Sequence, residues 1–387
     1  MSRRVVHLIS EYSAREAMGR TVAETAARVA GEHHLVTTRV HDGADAFASV
    51  TELGGSLSRF PAEDPTRLDA VLDGIDADVV HVHAGVLGSF LANRARLHRR
   101  TTVLTMYAWP NLPGRAAWQH AGWSGLRSSN VLPTRVIATA AVPAFAVHRS
   151  LMRLGPKAIL TPDPRVKDKL AALPGIPVTR LPSGAPVDLR RARFESADGR
   201  PTVVFAGRAE SVRGIGTLVD AFPDVLRRVP SARLRLLVLP RPELAGLRAR
   251  AERLGLGDAV EFRTEPVPDL LAEFAAAQVG AWPFLADYTT SPPAMALAEA
   301  MAVGLPVVST PVACVQAVMR PGMDGLAVPP GNQQALAEAL VRLLTDRVAW
   351  QRYATAGPAA TAKLSWNAAA EATEAAYRRV NDHSQAL

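Results

Sequence analysis

Cysteine is almost absent: the 387 residues hold one, Cys314. A lone thiol excludes an internal disulfide framework and a cysteine-built zinc site, and it fits a reducing cytoplasm. Aromatic side chains are scarce at 5%. Lysine is confined to Lys157, Lys167, Lys169 and Lys363, so arginine supplies nearly all the positive charge. Long apolar runs are missing too. The longest candidate, 136–147, is interrupted by Pro143 and falls short of the roughly 18–20 residues needed to cross a bilayer. The opening MSRRVVHLISEYS carries two arginines but too short an apolar run for a secretory leader.

What is present is ordinary for a globular protein: 48% apolar and 21% charged residues, with a formal net charge of +8. An arginine excess suits anionic partners, whether phosphates, acidic lipids or nucleic acid. No nucleic-acid reader motif and no basic stripe interleaved with aromatics occurs, so nucleic acid is not an expected partner. Contact with an acidic membrane surface stays open. The expected location is the cytoplasm, at most peripheral to the inner face of the membrane. Oligomeric state is not legible.

The length suits two domains of roughly 150–200 residues. Short β-branched runs at Val5–Ile9, Leu35–Val40, Asp78–His83, Thr101–Thr105 and Lys157–Thr161 alternate with helical patterns at 20–31 and 66–73. Such alternation predicts a parallel sheet covered on both faces. The stretch 181–201 has proline, glycine and charge without periodicity, which marks a break. A second strand–helix series runs from Thr202 through the helix at Gln333–Thr345. The expected architecture is therefore α/β, with two Rossmann-like doubly wound domains facing a cleft. Their boundaries are 1–185, a linker at 186–201, and 202–365. A terminal helix within 366–387 is expected to pack back on the first domain. Ligands of open α/β sheets lie at the carboxyl ends of the strands.

One such strand end reads Val203-Val-Phe-Ala-Gly207-Arg208, followed after four residues by Arg213-Gly-Ile-Gly216. Glycines allow a close approach of backbone to ligand. Two guanidinium groups five residues apart, ahead of a helix N-terminus, suit a diphosphate. Two solvated surface arginines are the plain alternative. A second passage runs Thr290-Ser291-Pro292-Pro293-Ala294-Met295 into a helix whose only acid is Glu299. Ser291 is a good N-cap and Pro292 a good first helical residue, which leaves the amides of Ala294 and Met295 to point at an anion. Glu299 needs a partner on so apolar a helix, either a ribose hydroxyl or an arginine.

The runs GRAESVRGIGTLVDAF, ALAEAMAVGLPVVSTPV, GMDGLAVPPGNQQALAEAL and SWNAAAEATEAAY, in this order, resemble the retaining GT-B glycosyltransferases of family four. That family includes phosphatidylinositol mannosyltransferases. DVVHVH and the turn Leu181–Asp188 also look like its signposts. The resemblance implies transfer of a hexose-type sugar from a UDP- or GDP-sugar to a hydroxyl acceptor, with retention by front-face attack. The acceptor would be a natural-product scaffold or a lipid-linked or cell-envelope glycan. Arg208 would face the donor phosphates, and Arg213 takes the place of the family's usual lysine. Glu299 matches the second glutamate of its paired motif and would hold the ribose. No metal and no cofactor is implied; the nucleotide-sugar is a substrate.

The departures are specific. Ser291 stands where the first glutamate belongs, with Pro292-Pro293-Ala294 in place of Gly-Phe-Gly. Tyr288, Thr289, Thr290 and Ser291 would substitute as neutral hydrogen-bonding groups. Tyr107 stands where the family commonly has histidine near the sugar; a phenol can donate a hydrogen bond there but is not a base near neutral pH. His83 is the remaining imidazole candidate in the first domain, with Gly19 and Trp109 as further cleft residues. Asp76-Ala-Asp78 precedes a strand and reads as loop polarity, not as a metal pair. The first strand–helix loop lacks the dinucleotide fingerprint, and no lysine between Lys169 and Lys363 is available for a pyridoxal cofactor. The altered positions also motivate a second expectation, a catalytically silent relative that binds nucleotide or a partner.

Overall fold

A computed structural model describes residues 2–54, 65–84, 97–107, 109, 144–171, 175–185, 190–286 and 292–385. The chain divides into two compact units: residues 1–112, 139–184 and 364–387 in the first, and 113–138 with 185–363 in the second.

The first unit is built on seven parallel strands. In chain order the described elements are β1 (Arg4–Ile9), β2 (Glu11–Ser13), α1 (Ala17–Ala26), β3 (Glu32–Thr37), β4 (Arg39–Asp42), β5 (Ser49–Glu52), α2 (Pro65–Ile75), β6 (Val79–Ala84), β7 (Thr102–Met106), α3 (Ala144–Leu154), β8 (Ala158–Thr161), α4 (Pro164–Leu170) and β9 (Val178–Arg180). The sheet order β5-β3-β1-β6-β7-β8-β9 reverses direction between β1 and β6, the switch point of a doubly wound fold. The expected strand over 35–40 is two: β3 stays in the main sheet, and β4 leaves it to pair with β2. Asp76 and Asp78 fasten the start of β1, Asp76 by an ion pair with Arg4 and Asp78 by accepting from the Arg4 amide at 2.7 Å.

The second unit continues with β10 (Thr202–Arg208), a 3-10 turn (Ser211–Arg213), α5 (Ile215–Arg228), β11 (Arg233–Leu239), α6 (Leu244–Arg253), β12 (Val260–Arg263), α7 (Leu270–Ala276), β13 (Val279–Trp282), α8 (Met295–Ala302), β14 (Val307–Ser309), α9 (Ala313–Gln316), β15 (Leu326–Ala327), α10 (Gln333–Thr345) and α11 (Arg347–Thr361). Its parallel order is β12-β11-β10-β13-β14-β15, so the switch point falls between β10 and β13. Helix α5 buries Ile215, Leu218, Val219, Phe222 and Val225, a helical stripe that covers one face of the sheet. Trp282 is buried with its ring edge toward Phe274 and its indole N–H donating to the Ala206 carbonyl at 2.9 Å.

The last helix, α12 (Trp366–Gln385), belongs to the first unit. It packs against α1 and β7–β9, and Tyr377 sends its hydroxyl to His81 Nδ1 at 2.6 Å. Trp366 lies over Gly184, where a Cβ would sit 2.1 Å from the indole. Among the described residues no helix is long and apolar enough to cross a membrane.

Candidate active site

The carboxyl ends of β10, β13 and β14 in the second unit are tied together by short bonds. After Arg208 the chain turns through Ser211–Arg213 to Gly214, whose φ of 76° is left-handed. A Cβ there would lie 1.8 Å from the Pro283 carbonyl oxygen. The Leu285 amide donates to the Val212 carbonyl at 2.9 Å. Thr310 donates to the Phe284 carbonyl at 2.7 Å and Ser309 to that of Trp282 at 2.6 Å. Gly214 thus admits the protein's own backbone at Pro283, and a side chain at Gly207 would meet the Phe205 ring at 3.2 Å.

The two predicted arginines come together, around a carboxylate that the sequence reading passed over. Glu210 takes a 3.0 Å bond from Arg213 Nε and lies 3.7 Å from Arg208 and 3.9 Å from Arg241. The Arg213 side chain is 14% exposed and Glu210 12%, whereas Arg208 is 35% exposed. Burial pulls the Arg213 guanidinium down from its ordinary value, and Glu210 draws it back up. A second acid, Glu243, accepts from the Ser211 amide. The loop is therefore a mixed-charge cradle in which Arg208 is the more accessible of the two predicted cations. An acid two residues after one arginine and three before the next was the available signal for Glu210. Arg241 and Glu243 come from the next strand–helix loop and gave none.

Helix α8 departs from expectation at its start. It begins at Met295 with Ala294 as its cap and no side-chain capping bond, not at Pro292. A residue that precedes proline is driven out of the helical region, and Pro292 precedes Pro293. The Ala294 amide is not left for an anion: it donates to the Cys314 carbonyl at 2.9 Å. Met295 opens the helix, and Glu299 is buried one turn later at 2% exposure. Thr290 and Ser291, with Tyr288 and Thr289, lie outside the described residues.

In the first unit, Tyr107 follows β7 and is buried, with its hydroxyl 3.5 Å from His83 Nδ1. Burial raises the Tyr107 phenol above its ordinary value and lowers the His83 imidazole well below its own, helped there by His81 and His7. At neutral pH neither carries charge. His7, on β1 beside His83, was not foreseen, because the register of β1 against β6 is invisible in the sequence. At Gly19 a Cβ would stand 2.2 Å from the Ser13 carbonyl oxygen, so this glycine admits the protein's own backbone. Trp109 is packed into the core of this unit, edge-on to His148 and capped by the Lys169 ammonium at 5.2 Å. Glu11 and Arg15 pair with His41 and Asp42.

With this geometry established, likeness to known proteins assigns the class. Residues 200–346 match the family described as glycosyl transferases group 1, the segment that carries the arginine loop and Glu299. The chain is 33% identical to the D-inositol 3-phosphate glycosyltransferase of Corynebacterium urealyticum, over 45% of this chain and 42% of that one. It is 34% identical to the phosphatidyl-myo-inositol mannosyltransferase of Mycobacterium leprae, over 53% and 54%. The chain spans about half the length of these curated relatives. Sucrose-phosphate synthase from Thermosynechococcus elongatus has a similar fold, with a TM-score of 0.75 at 19% identity over 98% of this chain and 100% of that one. Anabaena HepE, solved with UDP and glucose, gives 0.70 at 16% identity over 99% of each chain. Residues 200–346 thus resemble the group 1 glycosyltransferases, and the chain has the GT-B fold.

Proposed function

We propose that the protein transfers a hexose-type sugar from a UDP- or GDP-sugar to a hydroxyl acceptor, with retention and without a metal ion. The observation that carries this reading is the arginine loop at the switch point of the second unit. Arg208 ends β10 and Arg213 precedes α5, inside the segment that matches the family. In this reading the guanidinium groups offset the charge that grows on the departing diphosphate, a role that is worth most where water is excluded. Glu299, buried on α8, accepts hydrogen bonds from the donor ribose.

The leaving phosphate takes the acceptor proton in this scheme, so no protein base is required. That fits a first unit whose candidates, Tyr107 and His83, are both neutral at pH 7. The names of the relatives, which speak of inositol phosphate and phosphatidyl-inositol, support placing cyclitol phosphates first among the acceptors tested.

The test is release of nucleoside diphosphate from UDP- and GDP-sugars across an acceptor panel, with and without a chelator. Arg208→Ala is expected to lower kcat/KM by about 100-fold or more, and the chelator to change nothing. Near-normal turnover of Arg208→Ala would defeat the assignment. Nucleotide binding by calorimetry with no turnover on any acceptor would favour a silent binding protein instead. The anomeric configuration of the product, read by NMR, decides retention.

A further inference from the structure

The first unit buries a run of imidazoles at its own switch point. His7 on β1 stands opposite His81 on β6 in the parallel register, and residues two apart on a strand share a face, so His83 joins them. His7 bonds on both sides: Nδ1 lies 3.0 Å from His83 Nε2, and Nε2 lies 2.8 Å from His33 Nδ1. His33 Nε2 lies 3.0 Å from the Val29 carbonyl oxygen. The Tyr107 hydroxyl closes the other end at 3.5 Å from His83 Nδ1. His7 and His83 are buried at 1–2% exposure.

The end of the run sets its direction. A carbonyl oxygen only accepts, so a neutral His33 carries its proton on Nε2 and presents a bare Nδ1. His7 then donates from Nε2 and accepts at Nδ1 from His83 Nε2–H. That leaves His83 Nδ1 bare, facing the proton of Tyr107. Every link is made with three neutral rings, the form that burial favours. Running the chain the other way needs one extra proton and a cation held among buried groups, which is costly.

His7, His81 and His83 also bring nitrogens within 4.8 Å of one another, a set that could hold a metal ion. Those nitrogens are already engaged, His81 with the hydroxyls of Tyr377 and Thr105 at 2.6 and 2.7 Å. Among the described residues the set contains no carboxylate to offset a buried divalent charge. The hydrogen-bond chain is the better account.

We propose that His83, His7 and His33 are positioning residues that hold the Tyr107 proton inward, so that Tyr107 meets its ligand as a hydrogen-bond acceptor and takes a bond from a sugar or polyol hydroxyl. This rests on the transferase reading above and reverses the donor role that the sequence suggested for Tyr107. A chain that ends on a carbonyl has nowhere to send a proton, so it orients the phenol and relays nothing.

Nitrogen-15 NMR of the histidine-labelled protein at neutral pH tests the chain without any turnover. His7, His33 and His83 should each show a protonated Nε2 and a bare Nδ1. His33→Asn, which keeps an acceptor near the Nδ1 position, should preserve that pattern in His7 and His83, while His33→Leu should scramble it. An Nδ1–H form or an imidazolium at any of the three, an unchanged spectrum in His33→Leu, or one-to-one zinc binding lost in His81→Ala would overturn the proposal. In a turnover assay His33→Leu should raise KM about fivefold with kcat little changed, as for one weakened hydrogen bond, and His33→Asn should restore it. If no form of the protein turns over, the transferase reading fails while the tautomers still decide the chain.

Discussion

Glu210 alters what Arg208 and Arg213 can do. Read alone, Arg208 and Arg213 are a clamp for an anion; in the fold they already share one, with Arg213 bonded to Glu210 at 3.0 Å. The carboxylate holds the buried guanidinium in place and, on the transferase reading, would also repel an incoming diphosphate. Glu210→Gln keeps the shape and removes the charge. It should bind nucleoside diphosphate several-fold more tightly, measured by calorimetry. It should also unfold more easily by about 1–3 kcal/mol, measured by urea, because a buried arginine has lost its charged partner. Weaker nucleotide binding in this variant would mean that aligning Arg213 matters more than repulsion. Glu299 makes the opposite case, an acid that the sequence singled out and the fold buries. Glu299→Gln is expected to raise the donor KM about tenfold or more, the effect of weakening a bond to a charged group, while the acceptor KM stays within about twofold.

At the scale of elements, the turn between β10 and α5 is specified by one residue. Gly214 combines a φ of 76° with a Cβ position 1.8 Å from the Pro283 carbonyl oxygen. Gly214→Ala therefore carries the left-handed penalty of about 1–2 kcal/mol plus the displacement of the β13 loop. Thermal unfolding should report the loss, and because Leu285 is bonded to Val212 in the same place, donor affinity should fall with it. Helix α8 shows where local signals mislead. Ser-Pro before an apolar run is a sound start signal, yet a second proline made Pro292 a pre-proline residue and moved the first turn to Met295. The helix at Gln333–Thr345 stands where periodicity put it, because it is apolar on the side its layer requires. Helix α11 was missed: its buried face, Ala349, Trp350, Tyr353, Gly357 and Thr361, mixes small and polar residues with the aromatics, so no apolar stripe stands out.

At the scale of the whole molecule, the buried imidazoles couple folding to acidity. His7, His83 and His33 are lowered by burial from an ordinary 6.5, and His81 is lowered to about 3. Between those values the unfolded chain binds more protons than the folded one, so stability is complete above pH 6.5 and is lost as pH falls. Each such histidine contributes about 1.4 kcal/mol per pH unit, and several act together. Urea midpoints for the first unit should drop steeply between pH 6.5 and 5, and His81→Phe should flatten the slope; equal midpoints at pH 7.5 and 5.5 would contradict the buried neutral cluster. The last helix enters here as well. Tyr377 bonds His81 and Glu374 pairs with Arg3, so α12 is fastened to the sheet at β6 and just ahead of β1. A chain shortened before Trp366 should lose the first unit's cooperative unfolding transition.

Pattern alone determined the α/β class and the two strand–helix series, and it singled out the arginine loop and Glu299, because these depend on spacing along one strand or one helix. Tertiary structure decided what each of those groups meets. Glu210 lies between the arginines, Cys314 takes the Ala294 amide, and Trp109 lies in the core. His7 and His33 reach His83 through strand register, across 26 to 76 residues of sequence. A hydrogen bond needs its partner within about 3 to 3.5 Å, and which residues come that close is settled only when the sheets have formed.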